Sequence, residues 1–251
     1  MEKRFLYHGE AVAASGVIHL PFKEVIDIQA SVALPMDGGY GSARVDNFKY
    51  RELLSFGSAH SVVIGAYSEK DKAWQTLATT TIEKLDVMGV VTADRIVARI
   101  TSKHPKNGDE PSIIPLGSSF ENLRIAGVRV AVDLATDLFS TLGKFTDLQK
   151  ACRSNPKSLE PVLMVPPNGK ELPLSKAGMA GVTLVRGCDY RDKANVTKNA
   201  IKVDHFGMVY LAEMYVDGNS RRLTMLRIEM GCPVEGGIGV GAVGGNGSPW
   251  P

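Results

Sequence analysis

The stretch HFGMVYLAEMYVDGNSRRLTMLRIEM, residues 205–230, decides the fold. Two alternating runs flank DGNS, a cluster of turn formers at residues 217–220, and that arrangement spells a β-hairpin. Pairing across Gly218 and Asn219 sets Val209, Leu211, Glu213 and Tyr215 against Arg222, Thr224, Leu226 and Ile228. The other face then carries Met208, Tyr210, Ala212, Met214 and Val216 with Leu223 and Met225. Both faces are rich in apolar side chains. Such a hairpin is expected to be covered on both sides, by a second sheet and helices or by another subunit.

Working outward, period two recurs. EVIDIQASVALP, residues 24–35, puts Ile26, Ile28, Ala30, Val32 and Leu34 on one face, and the spacing predicts one half-buried strand ended by Pro35. DRIVARITS repeats the pattern through Ile96, Ala98 and Ile100, and WQTLATTTIEKL is rich in threonine, which suits a pleated surface. FENLRIAGVRVAVDL reads as two strands hinged at Gly127. Residues 136–153 break the rule: Leu138, Leu142, Phe145 and Leu148 fall at helical intervals, Gly143 divides the segment into two short helices, and Thr136 and Thr146 are the candidate N-caps, with Thr146 and Gln149 as a capping box. Five prolines between Pro156 and Pro173 forbid a central strand, so residues 154–173 read as an excursion from a single β-rich domain spanning 1–251, with a domain boundary there as the alternative. The expected fold is mainly β, an antiparallel sandwich or barrel with one short helical segment.

The segment from residue 231 on, GCPVEGGIGVGAVGGNGSPWP, holds Gly239-Val-Gly241-Ala-Val-Gly244, a match to G-x-G-x-x-G. That motif grips a pyrophosphate only where a helix leaves the third glycine. GNGSPWP cannot form that helix, so no dinucleotide and no other cofactor is expected. Glycine loses more backbone entropy on ordering than any other residue, so an ordered glycine-rich stretch implies a close approach of backbones. Residues 231–251 are therefore expected to dock as an extended segment on the body of the protein or on a neighbouring subunit. Ile238, Gly239, Val240 and Gly241 are the candidate interface, with Trp250 as the anchor between Pro249 and Pro251.

Chemistry-bearing patterns are sparse. The five histidines never fall within four residues of one another, so no metal site is expected. Glu213 is the one suggestive carboxylate, because its neighbours on its face are Val209, Leu211 and Tyr215; it is either an acid made by burial or the partner of Arg222 in a cross-strand ion pair, and the ion pair is favoured. With 29 basic against 27 acidic residues the net charge is +2, the signs are interleaved, and nucleic-acid binding is not expected. Three widely spaced cysteines fit either three reduced thiols or one disulfide with a spare. The opening MEKRFLYHGEAVAASG has no signal-like apolar core, which points to the cytoplasm, with signal-independent release as the alternative. No apolar run is long enough for a transmembrane helix; the apolar glycine stretch leaves membrane contact through strands open.

GVVTADRIVARITS followed by GSSFENLRIAGVRVAV, within residues 89–132, resembles a repeated theme of bacterial choice-of-anchor surface proteins, where a VTAD strand precedes a GS…NL pair. The resemblance implies a β-rich, surface-associated, non-catalytic role. The two-faced apolar hairpin, the apolar glycine-rich stretch and the lack of any catalytic signature make the expectation a non-enzymatic binding or self-assembling protein, a homo-oligomer or a binder of another protein. An enzyme with a loop-built pocket and a pore-forming or toxin-like protein are the alternatives.

Overall fold

Long alternating runs favour extended backbone because branched side chains pack well on a pleated surface. In the computed structural model they form antiparallel strands, and the structure describes residues 4–164, 179–231 and 233–249. The first half runs β1 Phe5–Leu20, β2 Glu24–Gln29, β3 Val32–Ala33, β4 Gly39–Tyr50, β5 Leu54–Ser68, β6 Ala73–Val87 and β7 Val91–Pro105. Short strands follow: β8 Ser112–Ile114, β9 Ser119–Glu121, β10 Arg124–Ile125, β11 Val128–Arg129 and β12 Ala131–Leu134. Helices α1 Thr136–Thr141, α2 Phe145–Ser154 and α3 Pro156–Leu159 interrupt. The chain then resumes with β13 Met179–Thr183, β14 Val185–Asp189, β15 Val196–Thr197, β16 Ala200–Val203, β17 Gly207–Asp217, β18 Arg221–Met230 and β19 Glu235–Pro249.

Two sheets face each other in a sandwich-like arrangement that does not close into a barrel. The larger has the order β15-β16-β17-β18-β19-β1-β2, with β13 also on β17 and β3 also on β1. The second has the order β11-β10-β7-β6-β5-β4, with β8 and β9 also on β7, while β12 and β14 form a separate pair. In the middle of the core β1 lies over β5 and β6, and β19 over β6 and β7. The glycine-rich segment is thus not a peripheral strap. It is a central strand, hydrogen-bonded to β18 on one side and β1 on the other.

Each sheet switches the face it buries along one row. In β17 the buried set is Val209 and Leu211, then Ala212, Met214 and Val216; in β18 it is Leu223 and Met225, then Leu226, Ile228 and Met230. β19 changes parity between Val240 and Val243, and β1 between Ala13 and Ala14. The ladders keep one register on both sides of this row but skip Ala212, Met225, Gly241 and Ala13. Alternate strands supply a left-handed residue there, Ala212 at φ 48° and Gly241 at φ 67°. The second sheet does the same along Asn47, Gly57, Lys84 and Asp94, with Asn47 at φ 54° and Lys84 at φ 55°. One unpaired residue per strand, taken in register, turns the following side chains to the opposite face without breaking the sheet.

This corrects the two-faced reading of the hairpin. Its register is the expected one, with Val209 opposite Ile228 and Tyr215 opposite Arg222. The two apolar sets nevertheless occupy successive halves of the same inner face.

Two local expectations also change. Residues 24–34 are not one strand, because Ala30 is left-handed at φ 45° and separates β2 from β3, leaving Ile28 exposed. The helical segment does divide at Gly143, but neither threonine is a cap: Ala135 and Lys144 precede the two helices. No capping box forms, since the Thr146 amide and hydroxyl both donate to the Glu110 carboxylate. Gly143 sits against Ser112, and its carbonyl accepts from the Ile113 amide and from Arg221, so the helices close the side of the sandwich between β8 and β18. Of the proline-rich excursion, residues 156–162 form α3 and a 3-10 turn, and residues 165–173 lie outside the described residues.

Candidate functional site

Glu213 follows the left-handed Ala212, so it projects from the outer face of β17 beside Tyr210 and Arg227. It is 2% exposed. Arg227 Nε donates to its Oε2 at 2.6 Å and Nη2 to its Oε1 at 2.9 Å, a bidentate pair. The same guanidinium lies 3.7 Å from the centre of the Tyr210 ring and also donates to Glu229, which accepts from the Tyr210 hydroxyl at 3.1 Å. Burial works against the Arg227 charge, but the Glu213 and Glu229 carboxylates outweigh it and hold the guanidinium above its usual range. Burial, then Glu229, raises the Tyr210 phenol.

Each Glu213 oxygen thereby accepts from the same guanidinium, the geometry of a bidentate ion pair. The pairing partner differs from the expected Arg222. That residue is 63% exposed at its side chain and reaches 3.4 Å from Glu10, two strands away. Gly244 of β19 lies beneath that bridge, and a Cβ there would come within 3.2 Å of the Glu10 side chain. Arg227 was missed because pairing in the sequence assumes strict alternation. The left-handed Ala212 brings residues 210 and 213 to the same side.

The candidate residues of β19 divide by face. Ile238 and Val240 are buried in the chain's own core, and Gly241 is the left-handed residue of the switching row, against Met225 and Ala98. Gly239 is outward, with nothing within 4 Å of where a Cβ would stand. Inward, Gly245 lies against Ile100, and a Cβ on Gly247 would meet the Phe5 ring at 2.2 Å. Phe5 fills that space and stacks on Trp74 at 4.8 Å between centroids. The inward glycines therefore serve sheet-to-sheet and ring-to-backbone contact. Trp250, the expected anchor, lies outside the described residues.

Where the chain crosses from the larger sheet to the second, the edge strands β2 and β4 meet at one end, and β3 lies against β4. The Glu24 carboxylate accepts from Tyr50 and Arg51, and Val32 of β3 packs under Gly41. No described strand pairs with the outer edge of β4. The described residues contain ten exposed large apolar side chains, of which eight flank this side: Val17, Leu20, Phe22, Val25, Ile28 and Met36, and then Tyr40 with its cross-strand neighbour Ile64. Phe22 is 69% exposed and Tyr40 63%. Among the described residues no cluster of three or more histidine, cysteine or acidic side chains is placed to hold a metal, and no helix is long and apolar enough to cross a membrane.

These features define a two-sheet antiparallel β protein with an ion-pair network on one outer face and an apolar open side. The chain belongs to the family described as a domain of unknown function (DUF8256), whose model matches residues 5–168. No curated protein and no solved structure matches the chain. The family match takes in β1–β12 and the helices and stops short of β13–β19, which supply most of the larger sheet.

Proposed function

We propose that this chain is a non-enzymatic β-rich protein that works by binding another protein chain through its open side, a second copy of itself first. One observation carries the reading: of the ten exposed large apolar side chains among the described residues, eight lie on the edge strands β2 and β4 or on the strands and turns next to them. Apolar exposure concentrated in this way marks interaction surfaces, and unpaired strand edges offer backbone groups to a partner. The resemblance of residues 89–132 to surface proteins that act without catalysis points the same way.

Size-exclusion chromatography with light scattering tests it. The native chain is expected to run as a dimer or larger assembly, and Phe22→Ser combined with Val25→Lys to shift it toward monomer while the far-ultraviolet circular dichroism stays unchanged. A native chain that remains monomeric up to several hundred micromolar overturns the reading.

A further inference from the structure

The edge of the second sheet is self-complementary in one register, and this inference rests on the association proposed above. Residues 40–46 of β4 are regular, bounded by Gly39 at φ 102° and by Asn47, where the backbone turns left-handed and the ladder skips a residue. On the outer face Tyr40, Ser42, Arg44 and Asp46 are exposed, while Gly41, Ala43 and Val45 turn inward.

When two copies of a strand pair antiparallel, opposed residues must share a face, so the two-fold axis passes through a residue and not between two. Within residues 40–46 an axis at Ala43 pairs the whole stretch, one at Ser42 pairs 40–44, and one at Arg44 pairs 42–46 but sets the two Arg44 side chains face to face. An axis at Ala43 sets Arg44 opposite Ser42 and makes the two Arg44 side chains diagonal neighbours; each is already held by Asp46 of its own strand at 2.9 Å, so that register adds no new attractive contact for it. An axis at Ser42 sets Arg44 of each copy opposite Tyr40 of the other, with Ser42 facing Ser42 and Gly41 facing Ala43. That register places a guanidinium beside an aromatic ring twice, with small residues on the inner face so that the strands can close.

We propose that two copies of this chain pair β4 to β4 antiparallel about Ser42, joining their second sheets into one continuous sheet, with the exchanged Tyr40–Arg44 contacts setting the register.

Cysteine placed on the axis tests the register directly. Opposed Cβ atoms in such a pair stand about 4.5–5.5 Å apart, within reach of a disulfide after small adjustment. Ser42→Cys is expected to give a covalent dimer on mild oxidation well above the native chain, whose own cysteines provide the background, whereas Ala43→Cys stays at background. Tyr40→Arg is expected to weaken dimerisation at least tenfold, and adding Arg44→Tyr to restore it, because the swap recreates both contacts; a merely structural role for Tyr40 would not be rescued. A native dimer that cross-links through position 43 but not 42, or a swap without rescue, overturns the register and leaves the association standing. A native monomer overturns both.

Discussion

At the scale of single residues, the buried polar groups reveal most. His104 sits on β7 opposite Trp74, its ring 5.0 Å from that of Phe5 and its Nε2 buried without a partner among the described residues. Burial among apolar rings disfavours the imidazolium and lowers its pKa from 6.5 to about 4. The unfolded chain therefore takes up this proton first as the pH falls. Stability should decline from about pH 6.5 toward 4 and then level off, by roughly 2–3 kcal/mol for this group. Urea unfolding at pH 7 and pH 4.5 checks this: His104→Gln should flatten the difference by about that amount, and an unchanged pH dependence refutes it. The Glu213 network gives a second prediction. Glu213→Gln leaves Arg227 without its buried counter-ion and should cost about 2–4 kcal/mol, whereas Arg222→Ala, at the exposed 3.4 Å bridge, should cost under about 0.5 kcal/mol. Equal losses in chemical denaturation would restore Arg222 as the partner that matters.

At the scale of the element, β19 shows why glycine occupies the middle of a sheet. Each glycine has its own reason, and substitution separates them. Gly241→Ala forces a side chain into a left-handed backbone at φ 67° beside Met225 and should cost about 1–2 kcal/mol. Gly239→Ala enters open space on the outer face at ordinary φ and should be neutral or slightly stabilising. Thermal melts of the two variants decide, and an equal effect would mean that the switching row carries no special strain. Ala212 makes the same point on β17: fully buried at φ 48°, it should tolerate glycine and reject valine, whose branched side chain is stiffer and larger.

At the scale of the whole molecule, the family match and the folding unit differ in extent. Residues 5–168 include the entire second sheet but only β1, β2 and β3 of the larger one. Without β19, the long strand β1 keeps only β2 and β3 and loses its continuous partner from Phe5 to Leu20, and the inner faces of β6 and β7 lose much of their cover. A chain of residues 1–168 is therefore expected not to fold alone, lacking both a cooperative thermal transition and protected amides in β1. Adding residues 179–251 as a separate chain should restore some of that structure, since β17, β18 and β19 are consecutive and mutually paired. A cooperative transition in the short chain would show that the second sheet needs no lid.

Features that depend on near neighbours were legible in the residues alone. Period-two alternation gave the strand character of β6 and β7, the DGNS turn gave the register of β17 and β18, and helical spacing with Gly143 gave two short helices. Those signals are local, because turn chemistry and side-chain alternation act within a few residues. What only the tertiary structure decided is where alternation changes sign. A left-handed residue at Ala212 or Lys84 carries no mark in the sequence, since neither is glycine or asparagine, and each is tolerated because the neighbouring strands skip a residue in the same row. That agreement is a property of several strands at once. It set the partner of Glu213, placed both apolar sets of the hairpin on one face, and made a glycine-rich stretch the centre of a sheet, since only there does the absence of a side chain admit the Phe5 ring and the facing strands.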